Sequence, residues 1–505
     1  MEATVVLLVL SVAALLLVLL SQLKSSLLVA KPKHNNLPPG PWTLPAIGNL
    51  HHLIGSPNLH HALRRLSQQH GPIMMLRLGE VRAMVVSSPE AALEVFKTHD
   101  ITFAERFTNA TTAVIGFDGS DIGFAPYGER WRQLRKICVL ELLSAARVLS
   151  FRCIREEEVR RFLENLAASA GTGAAVDLSK MISRLINDTF VRESIGSRCK
   201  YQDEYLDAVE TALRQTSGLG VADLFPSSRL MQVLDTAPRK VLACRNRIQR
   251  ILEQIIQETK EAGTGSQGFV GVLLRLQKER STPIPLDDGT IIAVMFNLFT
   301  AGSETSATVL TWCMTELVRN PKAMARAQVE VREAYHGKNT IVEDDDLKGL
   351  TYLKLVIKEA LRLHTPAPII PRKCRGACQV MGYDVPKGTA MFVNLWAICR
   401  DPKYWDDPEE FKPERFEDSD LDYKGTNYEF LPFGAGRRIC PAINLGVGNI
   451  DLALASLLYH FDWKLPEGIE ANDVDVSEAV GLVASKKTSL IVHPVPRIPL
   501  APANV

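Results

Sequence analysis

Residues 433–442 read Phe433-Gly-Ala-Gly-Arg-Arg-Ile-Cys440-Pro-Ala442, and a long apolar helix is predicted directly after them. Gly434 and Gly436 allow the backbone to turn tightly and to approach a flat ligand closely. Arg438 supplies a cation of fixed charge. A cysteine at the start of a helix meets backbone N–H groups and the positive end of the helix dipole, which favour the metal-binding thiolate. Taken alone, however, Cys440 would be assigned as a buried structural thiol.

Three further segments place reactive side chains at helical spacing. The end residues of Glu359-Ala-Leu-Arg362 are three apart and can pair on one helix face. In Ala301-Gly-Ser-Glu-Thr305, the first and last residues share a face, and the glycine would let a small ligand approach the backbone. In Trp131-Arg-Gln-Leu-Arg135, an indole N–H and a guanidinium can reach the same anion. Each has an alternative: a threonine can bond back to its own helix, and an arginine can lie in solvent.

The composition is that of a large globular protein. The 505 residues are 46% hydrophobic and 23% charged, which excludes a disordered chain, a collagen-like chain and a polytopic transporter. Lysine and arginine (58) balance aspartate and glutamate (57), so no nucleic-acid binding is predicted. The nine cysteines are odd in number and irregularly spaced, which favours a reducing compartment over a disulfide scaffold.

The N-terminus is predicted to be a single-span membrane anchor. Val5–Leu20 is apolar except for Ser11, and positive charges follow the segment rather than precede it. This order favours a retained anchor over a cleaved signal peptide and leaves the rest of the chain in the cytosol. The prolines of Leu37-Pro-Pro-Gly-Pro41 then prevent the helix from continuing. The predicted divisions are a membrane anchor at 1–23, a basic and proline-rich hinge at 24–44, and one catalytic domain at 45–505.

Helical periodicity dominates the cytosolic part, and we find no internal repeat or linker. The chain is therefore predicted to be mainly α with a minor β part. The predicted helices are Pro89–Thr98, Arg130–Leu142, Ala146–Ala170, Asp203–Leu219, Ala237–Glu261, Thr290–Arg319, Pro321–Tyr335, Leu353–Leu363 and Asn444–Tyr459. The predicted strands are Ile73–Leu78, Ala83–Ser87, Ala390–Asn394 and Ser489–His493.

Together these segments resemble a known family. The cysteine loop matches FxxGxRxCxG, the haem-binding signature of cytochrome P-450 enzymes, at Phe433, Gly436, Arg438 and Cys440, and departs from it at Ala442. The chain resembles a microsomal plant cytochrome P-450, a haem-thiolate monooxygenase, from the anchor to the C-terminal strands. The resemblance implies the cytochrome P-450 fold, haem b as the cofactor, and Cys440 as the ligand of its iron.

The resemblance also implies roles for the other segments. Glu359 and Arg362 match the family's ExxR element, and Arg415 of a following PERF element completes a buried ion-pair network with them. The AGxET element implies that Thr305 and Glu304, with water, supply protons during oxygen activation. Relatives hold the haem propionates through residues that match Trp131, Arg135, Arg372 and Arg438 here.

The substrate-contacting stretches of the family are apolar in this chain, which predicts a small apolar substrate held by shape. The predicted pocket residues are Ile115, Phe117, Phe124, Ala301, Ile369, Ile370 and Leu482. Phe225, Pro226, Leu230 and Met231 are predicted to form either a lid that dips into the membrane or ordinary core.

No flavin domain is predicted in the sequence, so we expect a partner to supply the electrons. The resemblance implies NADPH–cytochrome P-450 reductase as that partner, dioxygen as co-substrate, and a location in the endoplasmic reticulum membrane with the catalytic domain in the cytosol. An acidic flavin domain would dock on the basic face near the cysteine loop. The candidate docking residues are Arg130, Arg132, Lys136 and Arg437.

At finer resolution, Glu141–Arg147 and Asn187–Glu193 resemble grass enzymes that oxidise sesquiterpene or labdane-related diterpene hydrocarbons in phytoalexin biosynthesis. Hydroxylation, epoxidation or further oxidation of such a compound is the predicted function. One alternative is a haem-thiolate isomerase or dehydratase of fatty-acid hydroperoxides, which needs no reductase but whose members generally lack the threonine found at Thr305. The other is a non-catalytic haem sensor or redox-binding protein.

Overall fold

The computed structural model describes residues 36–56, 58–171, 173–216, 220–263, 268–337 and 346–500. The predicted anchor at 1–23 and the hinge up to residue 35 lie outside the described residues. Within the described ranges, no helix combines the length and the hydropathy needed to cross a bilayer.

Helices make up most of the described chain, as predicted. In chain order they are α1 (Leu59–His70), α2 (Pro89–Leu93), α3 (Ala110–Ile115), α4 (Glu129–Ile137), α5 (Ala145–Ser150), α6 (Arg152–Ala170), α7 (Leu178–Ile195), α8 (Gln202–Thr216), α9 (Val221–Leu224), α10 (Arg229–Leu234), α11 (Ala237–Ala262), α12 (Phe269–Glu279), α13 (Asp288–Arg319), α14 (Pro321–Ala334), α15 (Thr351–Leu363), α16 (Leu395–Ile398) and α17 (Ile443–His460). Single π-helical turns extend α2 through Glu94–Thr98 and α4 through Cys138–Leu142.

The strands form three small sheets. They are β1 (Ile73–Leu78), β2 (Val81–Val86), β3 (Val176–Asp177), β4 (Ile369–Lys373), β5 (Cys378–Val380), β6 (Tyr383–Val385), β7 (Ala390–Asn394), β8 (Phe461–Lys464) and β9 (Ile491–Pro496). The largest sheet has the order β1-β2-β7-β4, and only its β2–β7 pair is parallel. A second sheet has the order β3-β9-β8, and β5 pairs with β6.

The 32-residue helix α13 forms the centre of the helical part. It begins where the side chain of Asp287 accepts a hydrogen bond from the Thr290 N–H at 2.7 Å, a typical N-cap. Its residues are buried on most sides, and it packs against α7 and α17 within one large apolar cluster. A helix surrounded in this way is a rigid support for any site on its exposed turn.

Several elements were not predicted. Among them, α7 has apolar residues on more than one face because it packs against both α6 and α13, so its amphipathic pattern is weak. Its ends follow ordinary rules, with the Asp177 side chain as N-cap and Gly196, at φ +89°, as C-cap. The strand β4 was also missed, because proline and arginine interrupt its apolar run.

Candidate active site

The loop before α17 adopts the conformation that its two glycines allow. Gly434 and Gly436 have φ values of +71° and +68°, in the left-handed region that favours glycine. A Cβ atom at Gly436 would lie 2.7 Å from the backbone oxygen of Phe96, so no larger residue fits there. The Cys440 N–H donates to the Phe433 carbonyl at 3.0 Å and closes the loop.

The protein groups around Cys440 favour its protonated thiol over the thiolate. Burial raises the pKa of the Cys440 thiol, and the Ala442 N–H and the Arg135 guanidinium oppose this only in part. Desolvation outweighs the stabilisation of the thiolate expected from the helix start, since α17 begins only at Ile443. A bound metal would remove this proton, because metal-coordinating thiols are deprotonated. Ala442 has φ −107°, which suits any residue, so it replaces the family's glycine without backbone strain.

The middle of α13 has an accessible turn on the side of this loop. Ala301 and Glu304 are exposed and Thr305 is partly exposed, although the helix is otherwise almost wholly buried. On the adjoining face, Ser306 approaches α17, since its Oγ lies 3.5 Å from the position of a Cβ at Gly446. The exposed turn of α13 therefore lies next to the start of the helix that follows the cysteine.

The two predicted proton-delivery residues differ in their state. The Thr305 hydroxyl donates to the Ala301 carbonyl at 2.7 Å, which is the helix-bonded alternative weighed for this residue. Its oxygen can still accept a hydrogen bond from a group in the cavity. The Glu304 carboxyl is reached by water yet enclosed by protein, and this burial, with the Glu210 carboxylate nearby, raises its pKa.

Gly302 does not form the open groove that its sequence position suggests. A Cβ atom there would lie 2.2 Å from a ring carbon of Phe190, a buried residue of α7. The missing side chain therefore allows two helices to pack closely, and the space for a ligand lies on the neighbouring face of α13.

Arg372 is the clearest sign of an anionic ligand. This β4 residue is 2% exposed, and its Nη1 has no hydrogen-bond partner in the part of the chain that the structure describes. Burial, followed by the charges of Arg106 and Arg438, lowers the pKa of Arg372 well below its ordinary value. An unpaired buried cation is costly, so a partner from outside the chain is implied.

Two of the other predicted propionate ligands are already partly engaged. Arg438 donates to three backbone carbonyls at 2.9, 3.5 and 2.6 Å, and Arg135 donates to the backbone of the cysteine loop. Both guanidinium groups lie over the Trp131 ring, at 4.2 and 5.9 Å from its centroid. The Trp131 N–H donates to the Ile122 carbonyl at 3.0 Å, so here the indole supports the cations and does not present a free donor.

Sequence reasoning missed a further cation and the loop that accompanies it. Burial lowers the pKa of Arg106 to about 10, with Asp121 opposing the shift. Asp121 is fully buried, accepts two backbone N–H groups of its own loop, and accepts the Nδ2 of Asn297 of α13 at 3.0 Å. Burial raises the pKa of Asp121 to about 6. No spacing rule predicts these contacts, because 176 residues separate Asp121 from Asn297.

The residues of this region fit a haem group. Its four mutually repelling guanidinium groups are Arg106, Arg135, Arg372 and Arg438. Of the nearby carboxylates, Asp121 is the buried one, while Asp100 and Glu105 lie 3.3 and 3.6 Å from Arg437 and Arg375. Two propionates would offset two of the three positive charges that remain once Asp121 is counted, and the Cys440 sulfur would meet the iron. The cation cluster is thus joined to the cysteine loop through Arg135 and to α13 through Asp121 and Asn297.

Comparison with known proteins agrees with this arrangement. A family model of cytochrome P450 matches residues 38–492. The chain belongs to the cytochrome P450 family. Haem is therefore its cofactor, and monooxygenation is its class of reaction.

Relatives of this P450 extend over its full length. Zealexin A1 synthase of Zea mays is 64% identical over 492 residues, which are 96% of each chain. Dolabradiene monooxygenase of Zea mays is 63% identical over 511 aligned residues, covering all of both chains. Ent-cassadiene hydroxylase of Oryza sativa subsp. japonica is 57% identical, over 96% of each chain. A solved structure of a zebrafish cytochrome P450 with abiraterone superimposes with a TM-score of 0.74 at 26% identity, and the match covers 87% of this chain and 99% of that one.

The ion-pair network predicted for this P450 is present. Glu359 and Arg362 are fully buried, with Arg362 Nε 2.7 Å from a Glu359 carboxylate oxygen, and Arg415 Nε lies 2.9 Å from the other oxygen. Arg362 also donates to three backbone carbonyls. The network connects α15 to the turn at Pro413–Phe416, and its role in the fold is therefore structural.

The first group of predicted pocket residues lies near α3 and α13. Ile115 and Phe117 are buried in the helical core, Phe124 is half-buried, and the Phe117 ring lies 5.6 Å from that of Phe296 of α13. These side chains give the α3 region an apolar and aromatic lining close to the exposed turn at Ala301.

The remaining predicted pocket residues, Ile369, Ile370 and Leu482, differ in the part of the fold that each one contacts. Ile369 and Ile370 are adjacent in β4 and point to opposite faces, so only one of them can face a given cavity. Ile370 packs on the cysteine loop, with its Cδ1 3.0 Å from the position of a Cβ at Gly434, whereas Ile369 packs on the β1–β2 side. Leu482 is 43% exposed, at the tip of the hairpin between Ser477 and Lys487.

The candidate docking residues all reach the surface. Arg130, Arg132, Lys136 and Arg437 are exposed. Arg132 pairs with Glu129 on the same helix, and Arg130 also donates to a threonine of α13 at 2.8 Å. The surface that carries these four residues is therefore positively charged, although the ion pair of Arg132 offsets part of that charge.

Proposed function

We propose that this P450 oxidises a terpenoid hydrocarbon, a sesquiterpene or a labdane-related diterpene, in plant defence metabolism. The observation that carries the proposal is the full-length identity of 63% and 57% to enzymes named for the oxidation of dolabradiene and ent-cassadiene, which are unsaturated hydrocarbons. Premnaspirodiene oxygenase of Hyoscyamus muticus, which is 44% identical, is likewise named for the oxidation of the compound in its name.

The predicted pocket residues support an apolar substrate. All seven have hydrocarbon side chains, and the Phe117–Phe296 pair gives the wall an aromatic corner. Burying apolar surface contributes about 25 cal/mol per Å², so a compact hydrocarbon can bind well without polar anchors. Discrimination between related skeletons is then modest, because each methylene alters binding by only about 1–3 kcal/mol.

We assign the site residues as follows. Cys440 is the iron ligand, and Arg135, Arg372 and Arg438, joined by Arg106, hold the propionates. Haem supplies the activation of dioxygen for insertion into a C–H or C=C bond. The Thr305 oxygen, whose hydrogen is directed to its own helix, accepts a hydrogen bond from a donor in the cavity.

Glu304 completes this assignment as a proton store. Because burial raises the pKa of its carboxyl, the group keeps a proton to a higher pH than a free glutamate does. It lies one position before Thr305 on the same exposed turn of α13, so water can connect the two.

The electrons come, in this proposal, from NADPH–cytochrome P-450 reductase docked on the exposed arginines around the cysteine loop. The protein is proposed to lie on the endoplasmic reticulum membrane, held by its N-terminal segment. The short helix α10 supports a second membrane contact, since Leu230, Val233 and Leu234 are each about 60% exposed. Phe225, in contrast, packs against Gly79 of the β1–β2 turn and belongs to the fold.

The first experiment is a reduced, carbon-monoxide difference spectrum of microsomes that contain the protein, with Cys440→Ser as the matched variant. We expect a strongly red-shifted Soret band in the wild type and its loss in the variant. A well-expressed wild type without this band would refute Cys440 as the thiolate ligand.

The second experiment supplies reductase, NADPH and a panel of sesquiterpene and diterpene hydrocarbons. We expect oxygenated products whose formation requires NADPH and dioxygen. Turnover of fatty-acid hydroperoxides without NADPH would establish the isomerase alternative, and a haem-loaded protein that consumes no NADPH with any substrate would favour a sensor.

A further inference from the structure

Two histidines in the first turn of α1 meet a glutamate of the hairpin between Ser477 and Lys487, outside the site described above. The Nε2 of His60 is 2.6 Å, and that of His61 3.2 Å, from the same oxygen, Oε2, of Glu478. The three potential ligand atoms lie within 4.8 Å of one another. His60 and Glu478 are buried, and His61 is half-buried against the Trp396 ring, with centroids 4.3 Å apart.

One hydrogen bond does not account for this arrangement. The His60–Glu478 contact alone satisfies one imidazole and one carboxylate oxygen. The Nε2 of His61 is also buried and lies 3.2 Å from that same oxygen, so both imidazoles share one carboxylate oxygen. Two imidazole nitrogens that converge on one carboxylate oxygen form the kind of ligand set that binds a metal ion.

We infer that His60, His61 and Glu478 form a binding site for a zinc ion that fastens α1 to the hairpin between Ser477 and Lys487. Two imidazoles and one carboxylate are a ligand set that Zn²⁺ prefers. The Zn–N and Zn–O bonds of about 2.1 Å place neighbouring ligand atoms about 3.4 Å apart in a tetrahedron. The distance of 3.2 Å between His61 and Glu478 is close to this value, and the distance of 2.6 Å between His60 and Glu478 would lengthen by about 0.8 Å.

Groups around the cluster can orient its carboxylate ligand and leave room for a fourth ligand. The other carboxylate oxygen of Glu478 accepts the Trp396 N–H at 3.1 Å, which fixes the orientation of the ligand from the second shell. A cavity of about 460 Å³, bordered by His61 and Glu478, adjoins the cluster and can provide water as the fourth ligand.

The site has a consequence for the hairpin that carries Leu482, one of the predicted pocket residues. Two backbone hydrogen bonds close this hairpin, from Ala479 N–H to Ser485 and from Lys487 N–H to Ser477. Zinc would bind its base to the rigid α1, so opening of the hairpin would become rarer. The inference stands independently of the identity of the substrate.

The test uses the full-length, haem-loaded protein, stripped with a chelator, dialysed with equimolar ZnCl₂ and then analysed for zinc and iron. The iron serves as an internal standard for folded holoprotein. We expect about one zinc per haem iron in the wild type. The same ratio is expected in His70→Gln, a control that changes a histidine at the other end of the same helix.

His61→Gln and Glu478→Gln are expected to bind zinc about tenfold more weakly or worse, while their carbon-monoxide spectra stay normal. Equal zinc content in His61→Gln and in the wild type would overturn the site. X-ray absorption at the zinc edge of the wild type gives a second criterion that needs no variant. We expect nitrogen and oxygen ligands with imidazole scattering, and a sulfur shell at about 2.3 Å would assign the zinc to cysteines instead.

Hydrogen–deuterium exchange tests the fastening of the hairpin. Zinc is expected to slow exchange at the Ala479 and Lys487 amides in the wild type and in His70→Gln, but not in His61→Gln. Zinc bound at the cluster without this slowing would refute the link between the metal and the hairpin.

Discussion

Replacing Arg362 with lysine tests the buried ion-pair network most directly. The guanidinium donates to both oxygens of Glu359, at 2.7 and 2.9 Å. It also donates to the carbonyls of Cys399 and Pro408 at 2.8 Å and to that of Glu410 at 3.0 Å. Lysine keeps the charge, but its single nitrogen cannot reach groups on three sides.

The expected loss of stability follows from these contacts. If lysine retains its contact with Glu359, the carbonyls of Cys399 and Pro408 lose their donor, whereas that of Glu410 keeps the Arg415 guanidinium at 3.2 Å. Each unsatisfied buried group costs about 1–3 kcal/mol, so the variant should lose at least about 2 kcal/mol. Arg362→Ala also breaks a fully buried ion pair, which adds about 3–5 kcal/mol. The alanine variant thus approaches the whole stability of a typical domain, about 5–15 kcal/mol, and should not accumulate with haem.

The assay is the carbon-monoxide difference absorbance per amount of expressed protein, combined with the midpoint of haem loss in denaturant. Arg326→Lys is the matched control, because Arg326 pairs with Glu417 at the surface and such exposed pairs contribute little. We expect the order wild type, Arg326→Lys, Arg362→Lys and Arg362→Ala. Wild-type haem content and midpoint in Arg362→Lys would refute the reasoning.

Three further predictions concern the cavity and its loop. Gly302→Ala should destabilise the fold by about 1–3 kcal/mol, because its Cβ would lie 2.2 Å from the Phe190 ring, and an unchanged unfolding midpoint would contradict this close packing. Thr305→Ala should retain haem but divert NADPH oxidation into hydrogen peroxide with little product, so unaltered product per NADPH would argue against a role in proton delivery. Burial raises the pKa of Asp121 to about 6, so the folded state holds its proton more tightly than the unfolded chain, whose aspartate titrates near 3.8. The stability from this group is therefore full below about pH 4 and falls by about 3 kcal/mol as the pH rises to about 6. Subtracting the pH profile of Asp121→Asn from that of the wild type should isolate this fall, and parallel profiles would show that Asp121 does not titrate there.

Much of the fold followed from local patterns. The predicted helices from Pro89 onwards correspond to α2, α4, α5 with α6, α8, α11, α13, α14, α15 and α17. Their boundaries shifted by a few residues where caps outside the apolar pattern define the ends, as Asp287 does for α13. The missed helix α7 shows the limit of the method, since a helix with buried residues on several faces has no single apolar stripe.

In the active site, too, the sequence predicted which residues share an element, and only the structure shows which of their atoms are hydrogen-bonded. Trp131 and Arg135 were correctly placed on one helix, but only the three-dimensional structure shows that the Ile122 carbonyl occupies the indole N–H. The opposite orientations of Ile369 and Ile370 follow from the alternation along a strand, and would have been predicted if β4 had been recognised.

By itself the sequence determined what depends on short spacing: the helices, the three-residue step that pairs Glu359 with Arg362, and the cysteine loop whose pattern identifies the family. Only the tertiary structure brought Arg106, Asp121 and Asn297 together with the other arginines, and His61 to Glu478 across more than four hundred residues. The physical reason is that helical and turn geometry is set by neighbours along the chain, whereas burial, charge balance and hydrogen-bond partners depend on which distant segments pack against one another.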